Sequence, residues 1–465
     1  MSHSQGSKKP RRSSRDENGK CPISPARLAA FEALCAILEK GTYTHLALLE
    51  QWNKRDQSAQ DAALTSELVR GVVKWQRLLD EMIRPFARVR IEKMDIPVLC
   101  ALRMGVYQMR MMDRIPDYAA ISEAVELVRI HTFHAHRMAN AVLRAIQKAK
   151  DLPLPLRLED VANASRESLG LRLSYEEWMV QEVLSTLGDV NGRAALAAMN
   201  DRQHLALRVN LKKASRDQVL KILRDAGCVV SEVSGIPAAI LIEEGVRDAI
   251  QEVIARGEAS YQGLSSMKIA SLLRPRAGMT IIDACAAPGG KTLHLAELSD
   301  DQANIFAVEV HAHRAKMIQN QVERLGKNSI TVINADFLSV DKDCDAILLD
   351  APCSGLGTIA RKPDVKWTVH KEDLHSLAEL QNSMLNHAAD LLRAGGTLVY
   401  SVCTLTHAEG DAQIEKILAK RSDLELDWIA EGELAFSYRT PAGGVRMLPQ
   451  RDRGDGFFVA RFRKR

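Results

Sequence analysis

Residues Asp283-Ala284-Cys285-Ala286-Ala287-Pro288-Gly289-Gly290-Lys291-Thr292 constrain this chain more than any other stretch. An apolar run, Met279 to Ile282, leads in and reads as a strand, and Leu293, Leu295 and Leu298 follow with helical spacing. A strand that turns through paired glycines into a helix lets backbone approach a ligand closely at a helix N-terminus. The run is not G-x-G-x-x-G. Nor is it the phosphate loop G-x-x-x-x-G-K-[ST], because Cys285 stands at the first glycine although Gly290-Lys291-Thr292 matches the end. Taken alone it fits a tight turn in any doubly wound sheet or a nucleotide-type cofactor. The strands that follow favour the cofactor. Ile305 to Val310 carries Glu309, a partner for ribose hydroxyls, and Ile330 to Ile333 leads to Asp336, placed to meet an adenine amino group. Ala346 to Leu349 runs into Asp350-Ala351-Pro352-Cys353, and Thr397 to Tyr400 into Ser401-Val402-Cys403-Thr404. Usable chemistry thus collects at the C-terminal ends of parallel strands, where open α/β sheets bind ligands.

Length and composition bound the rest. A chain of 465 residues holds two to four domains, and 46% hydrophobic with 26% charged residues is ordinary for a soluble globular protein. With no apolar run of about twenty residues, no membrane span is expected. The N-terminus lacks the apolar core of a secretory signal. Eight scattered cysteines without C-x-x-C spacing point to reduced thiols in a cytoplasmic setting, and neither a disulfide framework nor a metal site is expected. His131, His134 and His136 read as loop polars, since no Cys or acidic residue has ligand spacing beside them. The formal charge is +4. Residues 1–22 read as a disordered basic tail that contains Lys8, Lys9, Arg11, Arg12, Arg15 and Lys20 against Asp16 and Glu17; it carries the whole excess. Its role is solubility or non-specific attraction to phosphate.

Residues 23–150 read as an all-α domain. Ser24-Pro25 starts a helix ended by Gly41, a long helix runs from about Ala59 to Ile83, and Asp95-Ile96-Pro97 opens another. Residues 151–202 form a helical linker region marked by Pro153 and Pro155. Residues 203–258 read as a small α/β module, with strands at Leu205 to Asn210, Cys228 to Val233 and Ala239 to Glu243 and a helix at Ser215 to Ala226. Residues 259–465 form the sheet-and-helix domain already described.

The strings DACAAPGGKT, DAPCSGLGT, RKPDVKW and Ser-x-Cys-Thr resemble the S-adenosylmethionine-dependent RNA cytosine-C5 methyltransferases of the Sun/NOL/NSUN superfamily. The helical domain resembles NusB-like RNA-binding domains through Ala119-Ala120-Ile121-Ser122-Glu123-Ala124-Val125 and Asn140-Ala141-Val142-Leu143-Arg144. The small module is similar to an RNA-recognition-like insert, with Arg208 and Asn210 in its Arg-x-Asn strand. Together the resemblance implies a multidomain fold: a NusB-like bundle, the insert, and a Rossmann-like methyltransferase domain. It implies transfer of a methyl group to C5 of cytosine in RNA, most naturally small-subunit ribosomal RNA, by a cytoplasmic enzyme taken as a monomer.

Cytosine C5 is a poor nucleophile until a thiolate adds to C6, so the chemistry needs a cysteine, an acid near N3/N4 and a base for the C5 proton. The resemblance assigns Cys403 as nucleophile, Cys353 to release of the adduct, Asp350 to N3/N4, and Lys291 to the same site. Cys285, Ala286, Ala287, Pro288, Gly289, Gly290 and Lys291, with Glu309, Asp336 and Asp350, would hold S-adenosylmethionine. Arg361, Lys362, Lys366 and Trp367 form a basic and aromatic cluster that reads either as a solvated loop or as an RNA contact, the latter favoured. Three departures from the family pattern stand out: Gly263 where Gln-Asp is usual, Val402-Cys403-Thr404 where Thr-Cys-Ser is commoner, and no Glu-Asn pair in His407-Ala408-Glu409-Gly410-Asp411. Two other readings stay open. One is the same chemistry on transfer RNA or on DNA, where the Pro-Cys thiol, Cys353, would be the nucleophile. The other is a non-catalytic RNA-binding or ribosome-assembly protein that keeps the cofactor fold.

Overall fold

The computed structural model describes residues 23–201, 204–434 and 438–465; the N-terminal tail lies outside them. The chain folds as two compact units, one comprising residues up to Val180 with Lys362–Lys366, the other Gln181–Arg361 with Trp367–Arg465.

The first unit is helical. Its helices Pro25–Lys40, Ala59–Lys74, Ile96–Met111, Asp117–His131 and His136–Lys148 bury apolar stripes that include Phe31, Leu34, Leu68, Leu102 and Val106. Two local expectations change. Ser24 does not cap its helix; its hydroxyl donates instead to Glu123 Oε2 at 2.9 Å, where Arg27 also bonds the same carboxylate. The long helix breaks at Trp75, whose ψ of 15° leaves the helical well, and restarts as Gln76–Ile83. Ser58, by contrast, does cap, accepting from the Asp61 amide at 3.1 Å.

The second unit holds two sheets among the described residues. The smaller consists of β1 (Leu205–Val209), β2 (Val229–Glu232), β3 (Ala239–Glu244) and β4 (Ala259–Tyr261), paired antiparallel in the order β2-β3-β1-β4. β4 lies past residue 258, where the sequence reading ended this module. One face packs on helices Arg216–Asp225 and Arg247–Ala255 through Leu207, Val219, Leu223 and Ile250. The other packs Ala206 and Leu241 on Leu264 and Met267 of helix Leu264–Ser271. A full capping box, Ser215 with Gln218, starts the first of these helices.

The larger sheet contains β5 (Thr280–Asp283), β6 (Asn304–Val308), β7 (Ile330–Ile333), β8 (Cys344–Asp350), β9 (Leu392–Val402), β10 (Leu424–Leu426), β11 (Tyr438–Arg439), β12 (Val445–Met447) and β13 (Phe457–Lys464). The order is β11-β12-β13-β9-β8-β5-β6-β7, with β10 also on β13. β7-β6-β5-β8-β9 are parallel, and β13 pairs antiparallel to β9. Neighbouring residues of one strand enter opposite cores: Ile281 packs with Leu348 and Val399, Ile282 with Ile347 and Tyr400. A sheet buried on both faces is why these strands read as continuous apolar runs. The chain winds outward through β6 and β7, then returns to the far side of β5 as β8. That reversal opens a crevice at the C-terminal ends of β5 and β8. None of the described helices is long and apolar enough to cross a membrane.

Candidate active site

The turn after β5 is held by backbone. The Ala284 amide donates to Leu348 O at 2.9 Å and the Ala286 amide to Val308 O at 2.9 Å, so the loop is pinned to both neighbouring strands. Gly289 then takes φ +100°, a conformation open to glycine at little cost, and helix Gly290–Leu298 begins. The first amides of a helix lack intrahelical partners and suit a polar or anionic ligand. Glu309 follows β6, Asp336 follows β7 and Asp350 ends β8, so these acids share one sheet edge with the loop. Glu309 accepts the His311 amide at 3.0 Å, and Asp336 the Leu338 amide at 3.0 Å. This donor set, a glycine-bearing turn at a helix start beside carboxylates at successive strand ends, fits a nucleoside-bearing cofactor. A further mark of the site is Asp283, whose Oδ1 is buried without a partner among the described residues.

Asp283 carries a prediction. Burial pushes its carboxyl up to about 7, against the pull of the Thr292 hydroxyl that donates to it at 2.6 Å. The unfolded value is about 3.9. Between the two, the folded state binds more protons than the unfolded state, so this group's contribution to stability falls as pH rises from about 4 to about 7. Asp283→Asn keeps the acceptor for Thr292 and stays neutral. The variant's melting temperature minus that of wild type is expected to grow between pH 5 and pH 8; a gap constant with pH would refute the assignment.

Two thiols meet at the next strand ends. Cys353 Sγ and Cys403 Sγ stand 3.3 Å apart, one side chain packing with the core on each face of the sheet. The close approach is set by glycines: the Gly357 amide donates to Cys403 O at 3.0 Å, and a Cβ on Gly357 would fall 2.0 Å from Gly456 O. The neighbouring Cys403 thiol, and then burial, push Cys353 well above the usual thiol range. A raised thiol holds its proton, and either sulfur can donate across the contact. Asp350 is fixed at both oxygens, Lys291 Nζ at 2.6 Å from Oδ2 and Ser401 Oγ at 2.7 Å from Oδ1. Lys291 also lies 5.5 Å from the Phe457 ring centroid. Cys285 and Cys344 differ in kind: burial raises both, Cys344 to about 12, which keeps them as protonated thiols.

A cleft in the same unit is lined by Tyr261, Gln262, Arg361, Arg453 and Asp455. Arg361 forks onto Asp455, with Nε to Oδ1 at 2.8 Å and Nη2 to Oδ2. Its charge acts on the Cys403 thiol. Gly263, the departure from Gln-Asp, leaves the Arg361 guanidinium in ordinary contact distance, since a Cβ there would lie 3.4 Å from it.

The basic cluster read from the sequence does not stay together. Arg361 is in the cleft wall and Trp367 is half-buried. Lys362 is exposed, but Lys366 belongs to the core of the helical unit: its ammonium is fully buried and donates to Lys74 O at 3.1 Å and Leu173 O at 3.0 Å, 3.8 Å over Tyr175. Carbonyls and an aromatic face replace its hydration, so it is not a solvated cation offered to RNA.

Comparison with known proteins then places the whole chain. Residues 270–463 match the family model described as 16S rRNA methyltransferase RsmB/F, residues 24–148 the NusB family, and residues 175–247 the ferredoxin-like domain of RsmF/B-like methyltransferases. The chain is 35% identical over 455 residues to the "Probable ribosomal RNA small subunit methyltransferase B" of Bacillus subtilis, covering 94% of this chain and 98% of that protein. It is 33% identical over 448 residues to "Ribosomal RNA small subunit methyltransferase B" of Shewanella oneidensis, covering 94% and 99%. Among solved structures, that of PH0851 superposes with a TM-score of 0.81 at 26% identity, covering 95% of this chain and 99% of that one.

Proposed function

The chain belongs to the RsmB/F methyltransferase family, and we propose that it methylates C5 of a cytosine in small-subunit ribosomal RNA through a covalent adduct of Cys403 with C6. The observation that carries this reading is the contact of two thiols at the ends of adjacent parallel strands, next to an acid held at both oxygens.

S-adenosylmethionine, held by residues Cys285–Lys291 with Glu309, Asp336 and Asp350, supplies the electrophilic methyl group. The chain's own residues do the rest. Cys403 Sγ bonds to C6, and the C5–C6 π pair moves so that C5 becomes enamine-like. Asp350 accepts from the N4 amino group and, with Lys291, fixes the ring edge where charge changes at N3. Cys353, whose Sγ lies 3.3 Å from Cys403 Sγ, is placed to assist the last stage. There the C5 proton leaves to a base, the electron pair re-forms C5–C6, and Cys403 departs as thiolate. Arg361 and Arg453 in the cleft present positive charge to the RNA backbone.

The test is methyl transfer itself. Small-subunit ribosomal RNA from cells lacking the enzyme is incubated with tritiated S-adenosylmethionine, and digested nucleosides are separated. Label in 5-methylcytidine is expected. Label only in another nucleoside overturns the C5 chemistry, and label in transfer RNA or DNA but not in ribosomal RNA overturns the substrate.

A further inference from the structure

Glu409 is fully buried, and among the described residues its carboxylate makes no ion pair. A charge in that position is costly unless donors replace its water. Four do. Oε1 accepts from the Ser354 amide at 2.8 Å and from Gln381 Nε2 at 3.1 Å. Oε2 accepts from Ser354 Oγ at 2.5 Å and Thr406 Oγ1 at 2.9 Å. Ser354 Oγ and Thr404 Oγ1 are themselves 2.8 Å apart.

The identity of these donors matters more than their number. Ser354 follows Cys353 directly. Thr404 follows Cys403 directly, and Thr406 lies in the same loop. Gln381 also donates to Pro352 O at 2.8 Å, on the other side of Cys353. Tyr400, at the end of β9, donates to Glu409 O at 2.6 Å and to Gln381 Oε1 at 3.1 Å. The carboxylate therefore ties Ser354, one residue after Cys353, to Thr406 in the loop after β9, and the Ser354–Thr404 hydroxyl contact carries the link to the residue after Cys403. In the sequence alone, this stretch stands out only for the Glu-Asn pair it lacks.

We propose that Glu409 is a positioning residue: it holds the two thiol loops in register, so that Cys353 stays in contact with the nucleophile Cys403. The inference rests on the two-thiol reading above. Charge-assisted hydrogen bonds of this kind are short and directional, and a misplacement of about 1 Å at a reacting pair costs about a hundredfold in rate.

The test reads the thiol contact directly and activity separately. Wild type, Glu409→Gln, Glu409→Asp and Glu409→Ala are treated with diamide, which takes up the two electrons and two protons as Cys353 and Cys403 close to a disulfide. Disulfide formation is followed by mass of the Cys353–Cys403 peptide pair. Glu409→Asp is one methylene shorter, so it reaches one loop but not both. Closure is expected to slow about tenfold in Glu409→Asp and Glu409→Gln and more in Glu409→Ala, with kcat for methyl transfer down about a hundredfold and KM for S-adenosylmethionine within about twofold. A merely structural role would lower the melting temperature while leaving closure at the wild-type rate in folded protein. Wild-type closure and kcat in folded Glu409→Asp and Glu409→Gln would overturn the proposal, and these two carry the test if Glu409→Ala does not fold. Slowed closure with unchanged methyl transfer would leave the brace standing and overturn the two-thiol mechanism.

Discussion

Cys403→Ala is expected to lose methyl transfer by about a thousandfold or more and to form no denaturation-resistant complex with RNA. Cys353→Ala is expected to do the opposite in the second assay: to accumulate a protein–RNA adduct that survives a denaturing gel. The asymmetry follows from the geometry. The thiols are 3.3 Å apart, close enough for one S–H to donate to the other sulfur. The Cys403 contact and burial push the Cys353 thiol upward, which suits it to the proposed role of proton donor rather than nucleophile. On this reading, removing Cys403 removes the sulfur that attacks C6. Removing Cys353 leaves attack possible but takes away the group placed to assist departure, so the C6–S bond persists. Turnover in Cys353→Ala should fall by about 10²- to 10⁴-fold, the range for a lost acid–base group. An adduct that needs Cys353 and ignores Cys403 would reverse the roles and favour the mechanism expected of DNA enzymes. No adduct and no methyl transfer with any nucleic acid would leave an RNA-binding protein on a cofactor fold.

The groups that were legible in the sequence are those whose chemistry is tied to strand ends. A strand, a Gly-Gly turn and a helix are local events, so Asp283 to Thr292 could be placed on the fold from their own neighbours. Asp350, Cys353 and Cys403 followed because a parallel sheet gathers the C-terminal ends of its strands. What could not be read is what depends on long-range packing. Lys366 sits in a polar string beside Trp367, and local context reads it as solvated. Only the fold shows it buried against Tyr175 and two carbonyls. Ser24 has the sequence of an N-cap but faces Glu123, 99 residues away, which competes for its hydroxyl. Glu409 finds its partners at Ser354 and Gln381, 55 and 28 residues away, and nothing in its flanking residues signals either. β4 is three residues long, too short for alternation to register, and it is paired by β1 rather than specified locally.

Arg208 is the sharpest such case, and it yields the second large effect. On its own an Arg-x-Asn string reads as the strand of an RNA-recognition-like module or, nearly as well, as an ordinary surface strand. The structure buries Arg208 to 1% exposure, with Nη1 2.5 Å from Glu297 Oε2. The pair joins β1 of the small sheet to the helix that follows the Gly-Gly turn. Burial lowers Arg208 and raises Glu297, so each group resists its surroundings and is held by the other. Among the described residues Arg208 Nε and Nη2 have no partner, which leaves little to compensate its charge if Glu297 is lost. Breaking a buried pair by removing one partner costs about 3–5 kcal/mol. Arg208→Ala and Glu297→Ala are each expected to lose that much stability in denaturant unfolding, whereas Arg208→Met with Glu297→Leu, which removes both charges and keeps volume, should return near wild type. A pH series separates this from lost packing. Without Arg208 the buried Glu297 carboxyl rises further above its unfolded value of about 4.3, so the folded variant takes up a proton that the unfolded chain does not. Its stability then falls as pH increases above that value, and the deficit of Arg208→Ala must be larger at pH 8 than at pH 5. A deficit equal at both, or a double variant no better than either single, would show that the pair is not what holds the sheet to the helix. RNA binding supplies the contrast with the surface reading. A phosphate contact contributes about one unit to the salt slope of affinity, so Arg208→Ala, measured below its unfolding transition, should leave that slope unchanged, while Arg453→Ala in the open cleft should reduce it.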